Sequence, residues 1–143
     1  SPIQVVISGN NDEIDRNKDI FLKNNIKKFI KLNVSAAFHS NLMFDAQKQL
    51  NLEIDKLNFN SNPIKIISNF TAEESDNNLV IKESLKNQMS NMVRWTDSIK
   101  KLLLLGETKI IELGPNKVLS GLIKRITDKI DIVSINNISD LGN

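Results

Sequence analysis

The chain has 143 residues, 40% hydrophobic and 25% charged, which is ordinary for a globular protein able to build one core or part of a larger one. It has no cysteine, which excludes disulfides, thiolate catalysis and cysteine zinc sites. Nineteen basic residues against 17 acidic give a net charge of +2, too balanced to point to nucleic acid as the main partner.

Residues 2–8 are rich in β-branched side chains and predict a strand, with Gly9-Asn10-Asn11 as the turn after it. Asn11 or Asp12 is expected to cap a helix over 12–24, whose apolar positions include Ile14, Phe21, Leu22 and, past its end, Ile26 after Asn25. Residues 28–34 alternate polar and apolar, predicting a half-buried strand with Phe29 or Ile30 starting the inner face. Leu42, Met43, Ala46, Leu50, Ile54 and Leu57 recur at helical spacing, and the stretch from Asn58 through Asn62 to Pro63 breaks that helix. A short strand is expected over 64–68, a polar loop over 73–78, and helices over 79–89 and 95–105, with Gly106 as the stop. A strand over 109–113, a tight turn at Gly114-Pro115-Asn116, a helix over 117–127 and a strand over 130–135 complete the chain. Val118, Leu119, Leu122, Ile123 and Ile126 form the expected buried face of that last helix. Alternating strands and helices from Ile64 onward predict a parallel sheet covered by helices. Ligands of such sheets sit beyond the carboxyl ends of the strands, which singles out Ser68-Asn69 and Gly114-Pro115-Asn116. No apolar run approaches the length of a membrane span.

His39 is the one histidine. Histidine is the side chain whose unperturbed chemistry lets it exchange a proton near neutral pH, so His39 leads the candidates for proton transfer. It stands in a predicted loop. Small residues (Ser35, Ala36, Ala37) precede it, and cap-type residues (Ser40, Asn41) open the next helix. A histidine that merely caps or packs is the competing reading. No Gly-x-Ser-x-Gly elbow and no glycine-rich phosphate loop is present. Gln88, near a helix end, is placed to orient an imidazole by its amide or its carbonyl, or else is a solvent-exposed glutamine. Trp95 is read as a core anchor. Lys117, Lys124 and Arg125 make a basic helix face, either simply solvated or facing an acidic partner. No metal site is expected.

Ser35-Ala36-Ala37-Phe38-His39-Ser40-Asn41-Leu42-Met43 resembles the histidine segment of malonyl-CoA:acyl-carrier-protein transacylases. Four further stretches fall in the matching order. They are the run from Ser1 to Gly9, the run from Ile67 to Ala72, Gln88 with Val93-Arg94-Trp95, and the run from Glu112 to Leu122. The resemblance covers nearly the whole chain and implies the carboxyl-terminal half of such an enzyme. The implied fold is α/β: part of an α/β-hydrolase-like acyltransferase core, a parallel sheet with flanking helices, plus part of an inserted ferredoxin-like subdomain. Residues 1–34 would be the second part of that insert and 35–143 the return to the core.

The implied function is malonyl transfer from malonyl-CoA to the phosphopantetheine thiol of acyl carrier protein in fatty-acid synthesis. It would run through an acyl-serine whose Gly-His-Ser-x-Gly motif, with the carboxylate-binding arginine, lies in the other half. These 143 residues alone are expected to be inactive. His39 would be the general base. Gln88 would steady it by its main-chain carbonyl. Phe38, Ser35 and Asn69 would lie on the substrate side, with Phe38 either crowding a 2-methyl branch or simply packing. No cofactor or metal is implied. Acyl carrier protein and malonyl-CoA are the implied partners, with no nucleic acid and no membrane. A full-length monomer in the cytoplasm, or in a plastid stroma, is implied.

Two positions depart from the family pattern: Ile3 and Asn116 stand where glycine is usual. A β-branched residue fits a positive φ poorly, so Ile3 requires either ordinary backbone or a different loop. The alternatives are an acyltransferase domain of a polyketide synthase and a non-catalytic α/β module binding a partner through the basic face.

Overall fold

The structure is a computed structural model that describes residues 3–24, 26–61 and 63–142. Ser1 and Pro2 at the head of the first motif, Asn25 and Asn62 lie outside the described residues. The elements in chain order are α1 (Asn11–Lys23), a 3-10 turn (Asn41–Met43), α2 (Phe44–Asp55), β1 (Ile66–Ile67), β2 (Glu74–Ser75), α3 (Asn78–Lys86), α4 (Trp95–Leu104), β3 (Lys109–Leu113), α5 (Val118–Lys124), β4 (Asp131–Ile135) and a second 3-10 turn (Ile138–Gly142). The chain divides into two compact units, one of residues 7–66 and 75–93, the other of the remainder.

In the unit of residues 7–66 and 75–93, asparagines start two helices. Asn10 Oδ1 accepts from the Asp12 and Glu13 amides at 2.9 and 3.2 Å, so the cap of α1 is Asn10 rather than Asn11 or Asp12. Asn77 Oδ1 does the same for Leu79 and Val80 on α3. The predicted strands at 2–8 and 28–34 form no ladder among the described residues. Alternation supplies a face, but a strand also needs a neighbour for its amides. The second segment lies along α1 instead, with Phe29 stacked on Phe21 at 5.8 Å and Lys31 paired with Asp15 at 2.7 Å. Phe29 is half-buried and Ile30 exposed, so the inner face starts at Phe29. The end of α2 is tied to α3 by Lys86, whose ammonium bonds Asp55 at 3.1 Å and holds that carboxyl below its usual range. The predicted helix 79–89 stops at Lys86, and residues 87–91 form turns.

The other unit holds a β-α-β motif. β3 and β4 pair in parallel, from Lys109 opposite Asp131 to Leu113 opposite Ile135, with α5 in the crossover. Ile99 of α4, Ile123 of α5 and Ile130 form its buried core, and Trp95, Leu102, Leu103, Ile110, Ile126 and Ile132 pack against it. Trp95 is thus the core anchor expected. On the opposite face of the ladder Ile111, Leu113 and Val133 are exposed. The parallel pairing predicted for the last two strands is present, whereas β1 pairs with β2, inside what reads as a polar loop.

The α4 terminus follows the glycine rule. Gly106 has φ +81, its N–H bonds Leu103 O, and the Glu107 N–H bonds Leu102 O, the paired bonds of a Schellman stop. α5 is shorter than predicted, with Val118 and Leu119 exposed, because its inner positions are Ser120 and Ile123.

Glu112 explains that shift. Its carboxylate, 7% exposed, accepts from the Leu119 amide (2.8 Å), the Ser120 amide (2.9 Å) and the Ser120 hydroxyl, and so caps α5 from the neighbouring strand. The Ser120 hydroxyl bond above all, then the two amides, holds this carboxyl below the ordinary glutamate value of 4.5. A depressed value means that the stabilisation is fully present above the unfolded value and disappears as pH falls through the folded one. Urea unfolding of wild type and Glu112→Gln, from neutral pH down to about pH 3, should show a stability gap that closes below the ordinary glutamate value. A gap that stays constant or widens in acid contradicts the assignment.

Candidate active site

His39 sits in the loop between the extended segment and α2, with φ +64. Left-handed backbone is uncommon outside glycine and tends to persist only where surrounding contacts impose it. Those contacts are present. The His39 N–H donates to Met89 O at 2.9 Å. The ring Nδ1 lies 3.1 Å from Gln88 O and 3.0 Å from Asn91 O. Carbonyl oxygens only accept, so Nδ1 carries a proton, and in the neutral ring the lone pair lies on Nε2. Nε2 makes no hydrogen bond among the described residues, and the side chain is exposed. The arrangement is that of an imidazole aimed as a base. Ser40 closes the loop, its hydroxyl donating to Ala37 O at 2.7 Å.

The structure therefore brings together His39 and Gln88, the latter through its main chain. Phe38 adjoins the histidine and is 47% exposed. Ser35 is exposed at the start of the same loop. Asn69 belongs to the other unit, where it is half-buried and its carbonyl accepts from the Arg94 N–H at 2.8 Å. Met89 and Asn91, whose carbonyls also hold His39, escape a reading of the sequence because a main-chain acceptor leaves no mark on residue type. Gln47 and Ser90 behind them are also missed. Gln47 did leave a signal, being a polar residue four after Met43 and three before Leu50 in an apolar stripe.

The glycine-like turn after β3 has Gly114 at φ +138 and Asn116 at φ +74. Asparagine tolerates the left-handed region better than most side chains, so Asn116 keeps the backbone where glycine is usual. Ile3 is exposed, and its φ depends on Pro2, which lies outside the described residues. Lys117, Lys124 and Arg125 are all exposed, and Arg125 donates to Gln4 Oε1. Among the described residues no group of three or more His, Cys, Asp or Glu could hold a metal ion, and no helix is long and apolar enough to cross a membrane.

No family model matches the chain. Individual relatives do. It is 35% identical over 136 residues to the malonyl CoA-acyl carrier protein transacylase of Bacillus subtilis (strain 168), covering 95% of this chain and 43% of that protein. It is 42% identical over 130 residues to the polyketide biosynthesis protein PksE of the same strain, covering 90% of this chain and 17% of that protein. Among solved structures, the malonyl-CoA:acyl carrier protein transacylase of Xanthomonas oryzae pv. oryzae superposes with a TM-score of 0.87 at 34% identity, over 94% of this chain and 43% of that one. The fold is thus the α/β fold of an acyltransferase class. Within that class, the chain belongs to the malonyl-CoA:acyl-carrier-protein transacylase family. It spans less than half the length of the curated relatives it matches.

Proposed function

We propose that these residues supply the histidine half of a malonyl-CoA:acyl-carrier-protein S-malonyltransferase of fatty-acid synthesis. The observation that carries this is the His39 ring, fixed at Nδ1 by two main-chain carbonyls, with Nε2 unpaired among the described residues. A serine outside these 143 residues is the proposed nucleophile. Its hydroxyl proton passes to His39 Nε2 as its oxygen attacks the malonyl thioester carbonyl. The tetrahedral adduct collapses, the carbon–sulfur bond breaks, and Nε2 returns the proton to the departing coenzyme A sulfur. In the second half the phosphopantetheine thiol gives its proton to Nε2 and attacks the acyl-serine. The ester bond breaks, and the serine oxygen recovers the proton. Side chains alone carry this sequence, so no metal or cofactor is invoked.

Phe38 and Ser35, beside His39 in sequence, are proposed to flank the acyl group, with Phe38 crowding a 2-methyl branch, and Asn69 is proposed on the substrate side. Residues 1–34 are assigned to the second part of a ferredoxin-like insert and 35–143 to the hydrolase-like core. The exposed Ile111, Leu113 and Val133 fit a parallel sheet whose second face is covered by the rest of such a protein. A cytoplasmic or stromal monomer is part of the same proposal.

Incubating the intact protein with labelled malonyl-CoA and holo acyl carrier protein tests the assignment, and no label on the carrier sinks it. Identity to PksE supports a second reading, malonyl loading of polyketide carrier proteins. Preference between a fatty-acid and a polyketide carrier separates the two. Gln88→Ala is expected to retain transfer within about threefold of wild type, because the main-chain carbonyl is unchanged. A loss of about a hundredfold would instead place the Gln88 side chain in the chemistry.

A further inference from the structure

We infer that Gln47 is a positioning residue for His39, acting through the turn of residues 88–91. Gln47 lies on α2, 5% exposed, and Ser90 is 8% exposed. Gln47 Oε1 accepts two hydrogen bonds from Ser90, one from its amide at 2.9 Å and one from its hydroxyl at 2.8 Å. Both lone pairs of that oxygen are thereby used, as a buried amide requires.

The Ser90 N–H and the Met89 C=O belong to one planar trans peptide and point in opposite directions. Gln47 holds one side of that peptide. The other side accepts the His39 N–H at 2.9 Å, at the residue whose φ is +64. The same turn presents the Gln88 and Asn91 carbonyls to the ring. Asn91 reinforces it, its amide donating to Asn87 O at 2.8 Å. Ser90 therefore faces α2 while its neighbours on both sides face the histidine. Gln47 sets the plane of the central peptide and, with it, both the backbone and the tautomer of His39. The inference rests on His39 being the base, but its primary readout does not depend on transfer.

The test is the tautomer of the neutral His39 ring, read from 15N imidazole shifts in the intact protein and assigned as the signal lost in His39→Gln. Wild type should show Nδ1–H. Gln47→Leu removes the acceptor at similar size and should move the population toward Nε2–H. Gln47→Glu keeps an acceptor oxygen at the same reach and should restore Nδ1–H. Ser90→Ala keeps the amide bond and should stay close to wild type. In transfer assays Gln47→Leu should lower kcat about tenfold with KM little changed, since a misdirected ring affects the proton transfer rather than binding.

A folded Gln47→Leu with a wild-type ring spectrum overturns the inference. If that variant does not fold, hydrogen exchange in wild type decides the matter. The Ser90 and His39 amides should exchange through one common opening, and a His39 amide that stays protected while that of Ser90 exchanges freely overturns the inference. A wild-type protein with the Nδ1–H ring but no malonyl transfer would remove the transfer reading and leave this one standing.

Discussion

His39→Ala in the intact protein is expected to abolish malonyl transfer, with a fall in kcat of about a thousandfold or more. Every proton in the proposed cycle passes through Nε2, and no other side chain of the turn around His39 replaces it. Alanine has a second effect at this position. A left-handed φ of +64 costs alanine much of what it already costs histidine, which adopts that backbone somewhat more readily, so only a small loss of stability accompanies the loss of activity. His39→Asn separates the two effects. Asparagine accepts left-handed backbone and can still donate an amide hydrogen toward the carbonyls, but it cannot take up a proton. It should be folded and inactive. Circular dichroism and thermal unfolding verify the fold, and a single-turnover assay with labelled malonyl-CoA reads the activity. Near-normal transfer by either folded variant removes His39 from the mechanism.

Ile123→Ala should produce the largest stability change of any substitution in the β-α-β unit. Ile123 is 1% exposed and packs with Ile99 and Ile130 at the centre of the core cluster. Shortening a buried isoleucine removes transfer free energy and leaves a cavity, at a combined cost of about 2–5 kcal/mol. Whole-domain stabilities are only about 5–15 kcal/mol, so such a loss is a large share. Ile111→Ala, on the exposed face of the same ladder, is the matched control. Urea midpoints of the two variants should differ clearly in the protein as it exists. Equal midpoints would mean that the cluster under α4 and α5 is not what holds this unit.

The sequence made the second unit more legible than the first, for a physical reason. Ile110, Glu112 and Ile132 alternate with Ile111, Leu113 and Val133, and Ile99, Ile123 and Ile130 meet in one core. In that unit local pattern and tertiary partner agree. The segments at 2–8 and 28–34 carry the same alternation without a partner among the described residues, so pattern alone overstates them. The start of α1 moved back to Asn10 because several adjacent residues have capping side chains and only geometry chooses among them. Glu112 shows a different blind spot. A charged residue inside a strand reads as an outer position, yet here it points inward to cap a neighbouring helix. At the site, His39 was legible because no other histidine competes with it, and Gln88 because its stretch keeps the family order. Asn91, Met89 and the Gln47–Ser90 pair were not, since what matters there is the direction of peptide planes.

Because all three contacts on His39 come from carbonyl oxygens, the side chains at 88 and 89 are free to drift among related lineages without disturbing the proposed proton transfer, whereas Asn91 also braces the turn through its side-chain amide. The constraint falls one step further back. A lineage that replaces the amide at position 47 by an aliphatic residue must find another anchor for the main-chain N–H at position 90, whereas position 90 itself can take any residue but proline and keep that bond.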